Sequence, residues 1–336
     1  MRRRNISIFL ILSAFLFILF ALDLLTGSSS ISVSEVFRTL CGGDVPASVS
    51  RIVLGIRLPK ALSAILAGAA LSVSGLQMQT LFANPLAGPY VLGINSGASF
   101  GVAMFILGMP LLGVSASSGS IVSSLGVAGA AWIGAALILA AVAFAGRRVR
   151  SIMVILVLGM MLSSAIDSVV QILQYMSNEQ ALKSFVVWTM GSLSDVTPVQ
   201  LCVMACSVSA GLLISVGRIK DLNMWLLGET YSRTMGLNVI RSRNMLFLST
   251  VLLAGTVTAF CGPVGFVGLA VPHVCRALFR EADHRVLLPA SVLTGASLLL
   301  LCDIVSKLWM VPINSITALL GIPVVVWVVL ENKTFA

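Results

Sequence analysis

The stretch that decides the fold is RLPKALSAILAGAALSVSGLQMQTLFANPLAGPYVLGINSGA, residues 57–98. Its run 60–81 carries a single charge, Lys60 at the very start, and at about 1.5 Å per residue is long enough to cross the roughly 30 Å of a bilayer's hydrocarbon. Asn84-Pro85 and Gly88-Pro89 then break the helix, and a second apolar run begins at residue 94. The same alternation of apolar run and breaker continues along all 336 residues, of which 58% are hydrophobic and 10% charged, with a mean hydropathy of +1.06. That composition excludes a soluble domain. Backbone polar groups cannot stay unpaired in lipid, and the runs lack the alternating pattern of barrel strands, so the fold class is all-α and membrane-embedded.

Apolar runs bounded by charge, glycine or proline predict ten spans, at about 6–26, 60–81, 94–112, 121–145, 151–176, 197–216, 245–262, 264–279, 287–307 and 315–331. The eighth holds Pro272 and follows Pro263, so it is expected to be short or broken. Arg2-Arg3-Arg4 ahead of the apolar 6–22 has the make-up of a secretory signal, but no A-x-A-like site follows, which predicts a retained first helix. With both termini in the cytoplasm, fifteen of the 21 Lys and Arg fall inside: Arg2 to Arg4, Arg147, Arg148, Arg150, five in 218–243, Arg276, Arg280, Arg285 and Lys333. Arg38, Arg51, Arg57, Lys60, Lys183 and Lys307 remain outside, a bias that supports this orientation. The net charge of +9 is therefore read as topology, and no nucleic-acid surface is expected.

Several chemistries are missing. There is no GxxxxGK[ST], so ATP chemistry must come from a partner chain, with no cofactor on this one. His273 and His284 stand too far apart in sequence and are too poorly supplied with nearby carboxylates for a metal centre or a triad, which points to structural or interfacial roles. Six scattered cysteines without a CxxC are expected as reduced, packed thiols. Ser32-Val-Ser-Glu35 has the capping-box pattern and predicts a short surface helix. LAGAALSVSG at 66–75 and LAGTVTAFCG at 253–262 form a weak echo in oppositely directed spans, as in an inverted repeat.

Span five carries Ser163, Asp167, Gln171, Gln174 and Asn178 at spacings of 4, 4, 3 and 4, which puts them on one helical face. Polar groups at membrane depth are costly and face a cavity or another helix. Two readings follow: the wall of a translocation path, or interhelical hydrogen bonding. Asp303 and Lys307 stand one turn apart and are expected to pair.

The 57–98 stretch, with its Arg-Leu-Pro-Lys opening and Asn84-Pro85-Leu86-Ala87 run, resembles the signature of the iron-siderophore, haem and cobalamin permeases. WTMGSL at 188–193, GPVGFVGLAVPHVCR at 262–276 and DHRVLLP at 283–289 agree with it in order. The resemblance implies a ten-helix permease of the cell membrane that works as a homodimer. It also implies two cytoplasmic ATPase subunits holding ATP and Mg²⁺, and an extracytoplasmic binding protein that delivers a metal chelate. Ferric siderophore is the broadest substrate class; haem and cobalamin fit as well.

Site residues follow by the same resemblance. WLLGETYSRTMGLNV at 225–239 is similar to the family's ATPase-coupling segment, with Gly228, Glu229, Ser232 and Gly236 as its candidate residues. It is expected as two short helices hinged at Gly236, with Gly228 ahead of the first, and Ser232 stands where the family usually has alanine. Arg57, Lys60 and Lys307 match basic positions that receive acidic side chains of the binding protein, though the same residues would also suit helix ends that snorkel to headgroups. Near the C-terminus Met310 and Asn314 flank Pro312 where the family usually shows glutamate and glycine. The competing classes are an ion-coupled secondary transporter, to which Asp167 and the echo lend support, and a membrane enzyme, for which no convergent catalytic set exists.

Overall fold

The computed structural model describes residues 2–27, 29–109, 120–146 and 152–331. Arg147, Arg148, Arg150 and Lys333, and the 110–112 end of the third expected span, lie outside the described residues. The helices are α1 (Arg2–Leu25), α2 (Val33–Leu40), α3 (Ala47–Leu81), α4 (Ile94–Gly108), α5 (Ser120–Gly146), α6 (Ile152–Met176) and α7 (Glu179–Thr189). They continue as α8 (Pro198–Gly217), α9 (Ile219–Trp225), α10 (Glu229–Thr234), α11 (Val239–Cys261), α12 (Val267–Phe279), α13 (His284–Trp309) and α14 (Ile313–Glu331).

Among the described residues seven helices are long and apolar enough to cross a membrane, and three shorter apolar helices, at Ile94–Gly108, Val267–Phe279 and Ile313–Trp327, accompany them. Each overlaps one of the ten expected stretches. α12, at 13 residues, is about 20 Å long and falls short of a bilayer's hydrocarbon thickness. Its start is set by Gly262 (φ 73°) and Phe266 (φ 64°), backbone conformations that stop α11 and redirect the chain.

α3 is the axis of the bundle. It runs 35 residues instead of the expected 22, beginning at Ala47 and passing through a π-helical turn at Val53–Arg57, and it is buried on nearly every side from Ala67 to Leu81. Small residues make this possible. Gly68 lies against the backbone of Gly295 in α13, and Gly75 against that of Gly268 in α12, where an added Cβ would strike a carbonyl. Helices in lipid gain by such close approach, since burial of apolar surface there gives no net advantage. A polar knot also joins α3 to α8 and α11: Gln77 Nε2 donates to Ser215 and Ser249, and the Thr250 hydroxyl donates to Gln77 Oε1 at 3.3 Å.

The capping box of α2 forms, with Glu35 N donating to Ser32 Oγ at 3.3 Å and Ser32 N to Glu35 Oε2 at 2.9 Å. Bonds from the Ser32 side chain and backbone hold the Glu35 carboxyl below the usual carboxylate range. The two echo segments do not play equivalent parts. Gly75 sits inside α3 as a packing point, whereas Gly262 ends α11, which also contains a π-helical turn at Val251–Gly255.

Candidate functional site

At one end of the bundle the C-terminus of α1, the first part of α3 and the last turns of α13 meet. Arg57, Lys60 and Lys307 do come together there, but they do not form an open basic pocket. Arg57 is only 4% exposed, and its guanidinium donates to Leu24 O at 2.8 Å, Leu25 O at 3.0 Å and Ser29 O. The first two are carbonyls that the end of α1 leaves unpaired, and a cation there is also favoured by the negative end of the helix dipole. Lys307 bridges two buried carboxylates, Asp23 at 2.7 Å and Asp303 at 2.8 Å. Lys60 contacts Asp303 at 3.1 Å and is the more exposed of the two lysines. It borders a cavity of about 230 Å³ lined also by residues 191–194, Ser306 and residues 310–313.

The three cations are therefore not freely available: Asp23 and Asp303 pair Lys307, Asp303 also pairs Lys60, and carbonyls hold Arg57, because buried charge must be paired or hydrogen-bonded. The Asp303–Lys307 pair appears as expected. Asp23 went unassigned in the sequence, although an acid near the end of an apolar run is itself a signal.

At the other end of α3 and α13 lies the segment expected to couple to an ATPase. Its layout differs from the expectation. Gly228 (φ 86°) separates two short helices, α9 and α10, and Gly236 (φ 88°) separates α10 from α11. The hinge at Gly236 therefore leads directly into a membrane helix. Ser232 uses the hydroxyl that an alanine would lack: Oγ donates to Met224 O and Gly228 O, both at 2.8 Å, and ties α10 to α9. Glu229 and Arg233 pair on the surface at 2.6 Å. Leu226, Leu227, Tyr231 and Met235 are all exposed, an apolar set on a segment that charge places in water.

Beneath that surface α9 is fastened twice. Trp225 Nε1 donates to Ser242 Oγ in α11 at 3.1 Å. Asn223 reaches α13, donating to Asp283 Oδ1 at 2.7 Å and accepting from His284 N at 2.9 Å. The bond from Arg285 N, and then that from Asn223, hold the Asp283 carboxyl below its ordinary range. Asn223 did not stand out in the sequence, since a lone amide in a short helix carries no spacing signal, whereas Asp283 opens the DHRVLLP stretch. Both histidines are engaged in bonds, His273 Nε2 with Pro85 O at 2.8 Å and His284 with Thr80 and Asn223.

The α6 stripe is partly as expected. Asp167 and Gln171 are exposed, and Ser163 and Gln174 are half-buried. Asn178 is corrected: α6 ends at Met176, and Asn178 is the N-cap of α7, its Oδ1 accepting from Ala181 N at 2.8 Å. Over residues 161–172 the exposed surface of α6 divides in two. With about 3.6 residues per turn, Ser164, Asp167, Ser168 and Gln171 occupy one flank, and Met161, Ala165, Val169 and Ile172 the other. Asn314 also acquires a part. Its Oδ1 accepts from Gly265 N at 3.0 Å and so fixes the break between α11 and α12, a bond that glycine at this position could not make. Met310, in left-handed conformation at φ 53°, ends α13 in the open.

The chain is 33% identical over 328 residues to the hemin transport system permease protein HmuU of Yersinia pestis, covering 95% of each chain. It is 36% identical over 342 residues to the vitamin B12 import system permease protein BtuC of Shigella boydii, covering 99% of this chain and 97% of that one. A solved structure described as an inward-facing conformation of a metal-chelate type ABC transporter superposes with a TM-score of 0.83 at 29% identity, over 97% of this chain and 99% of that one. Residues 15–331 match the FecCD transport family, and with most of its length in that match the chain belongs to that family.

Proposed function

We propose that this chain is the membrane permease subunit of an ATP-binding-cassette importer that takes up a metal-chelate compound. Ferric siderophore is the first candidate, with haem and cobalamin behind it. The chain works as two identical copies in the cell membrane of a bacterium or archaeon, with ten spans and both termini in the cytoplasm. Two ATPase subunits bind below, carrying the ATP and Mg²⁺, and an extracytoplasmic binding protein docks above. The observation that carries this reading is the family match over 15–331, with relatives of similar length named for hemin and vitamin B12.

The parts divide by location. Gly228, Glu229, Ser232 and Gly236 shape the segment that the ATPase grips, and its exposed Leu226, Tyr231 and Met235 suit an apolar cleft. Lys60, beside the self-paired Arg57 and Lys307, offers the accessible charge for docking the binding protein. Asp167 and Gln171, with Ser163 and Gln174 behind them, line the route between the two copies, while the opposite flank of α6 meets lipid or protein.

The test is uptake into proteoliposomes containing this chain, its ATPase and its binding protein, with ferric siderophore, haem and cobalamin compared. Uptake of one of them is expected to require ATP and to persist when ionophores dissipate the ion gradients. Transport that stops with the gradients while ATP is held constant, or that runs without the ATPase, would overturn the reading in favour of an ion-coupled carrier.

A further inference from the structure

Both ends of the Asn223 carboxamide are engaged. Asp283 can only accept, so the amide nitrogen must face it, at 2.7 Å; the His284 backbone N–H can only donate, so the amide oxygen must face that, at 2.9 Å. The same oxygen lies 2.8 Å from His284 Nδ1, which assigns the proton to Nδ1. Nε2 is then the acceptor, and the Thr80 hydroxyl, 2.8 Å away, shares its one proton between this nitrogen and Leu76 O at 2.9 Å. One side chain of α9 is thereby locked to the first residue of α13 and, through its ring, to the last turn of α3. Apolar contacts allow neighbouring helices to slide; a set of short, directional bonds does not.

What lies on either side of this joint gives it meaning. On one side α9 leads into α10, to which Ser232 binds it. On the other side α3 and α13 pack backbone to backbone at Gly68 and Gly295, and at their far ends they share the Lys60–Asp303 ion pair. We propose that the Asn223–His284–Thr80 clasp is the joint through which movement of the coupling segment is delivered to the central pair α3–α13, and so to the opposite face of the protein. Asn223, His284 and Thr80 are positioning residues, and touch neither cargo nor nucleotide. This inference rests on the reading of 225–239 as the ATPase-docking segment.

The experiment reverses the direction of one bond. Asn223→Asp puts two carboxylates face to face, which breaks the tie to Asp283 and pushes the side chain away from His284; combining it with Asp283→Asn relieves that repulsion and lets the new amide, turned so that its oxygen keeps the Arg285 N–H, donate to the new carboxylate. Three quantities are measured on the assembled transporter: ATPase co-purification, the thermal unfolding midpoint in detergent, and ATP hydrolysed per cargo molecule transported. The single variant is expected to retain its ATPase and to hydrolyse ATP, while the ratio rises by about tenfold, as loss of bonds to a charged group implies. The double variant is expected to return toward the wild-type ratio. An unchanged ratio in the single variant, or no recovery in the double, overturns the proposal. If Asn223→Asp does not fold, Thr80→Val, nearly the same shape without the hydroxyl, carries the same expected rise, and an unchanged ratio there overturns it equally. Failure of the docking reading is separate and shows as association: ATPase still bound at wild-type level after Leu226, Tyr231 and Met235 are all changed to aspartate would overturn both.

Discussion

Lys307 lies within 2.8 Å of two carboxylates that are almost wholly buried. Replacing it with methionine keeps its bulk but leaves Asp23 without its ion-pair partner, a loss expected to cost about 3–5 kcal/mol. Unfolding in detergent measures this, and a change below about 1 kcal/mol would show the network to be incidental. Lys60 answers a different question. Three cations and two carboxylates leave the cluster at +1, and Lys60→Glu turns it to −1, so docking of the binding protein should weaken on the order of tenfold at low salt and less at high salt. Equal affinity for wild type and variant at both ionic strengths would remove Lys60 from the docking surface. The grouping of Arg57, Lys60 and Lys307 was legible because the motifs that carry them are distinctive. The pairing of Lys307 with Asp23 was not, because the two are 284 residues apart and only packing of α1 on α13 brings them together.

Among elements, the proposed coupling segment turns at two glycines, Gly228 and Gly236. Gly236 has open space around its Cα, but its φ of 88° is one that a β-branched residue adopts only with strain of about 1–3 kcal/mol. Gly236→Val should therefore re-aim α10 against α11 and abolish transport at normal expression, the membrane helices being untouched; wild-type uptake with wild-type ATPase association would refute the hinge. The long apolar helices were legible from hydropathy alone, since about 20 apolar residues in succession have few other uses. α7 was not: its 11 residues mix Glu179 and Lys183 with short apolar stretches, and a span-length reading passes over it. That omission also explains Asn178, whose spacing fitted the stripe while its φ and ψ made it a cap. The early start of α3 escaped for a related reason, Arg51 and Arg57 marking an apparent boundary that a continuous helix runs through.

For the whole molecule, α1, α8, α11, α12 and α13 pack on α3, with the paired ions at one end and the 225–239 segment at the other, and α6 stands outside this core with a polar flank that none of the described residues covers. An exposed carboxylate on a membrane helix is stable only against water or a partner, and the proposed route between two copies would supply both. The division of α6 into polar and apolar flanks emerged only with the helix packed, because spacing alone names a face without saying what lies beside it. The most direct measurement is cysteine accessibility in a background lacking the six native cysteines, in the complex with ATPase and binding protein. A small water-soluble thiol reagent is applied to Asp167→Cys, Gln171→Cys, Ile172→Cys and Val170→Cys, in the nucleotide-free and ATP-trapped states. Positions 167 and 171 are expected to label and to change rate between the two states, as alternating access requires, while 170, packed inside, and 172, on the apolar flank, stay protected in both. Labelling that is absent at 167 and 171, or identical in the two states, would contradict a nucleotide-gated path along this chain.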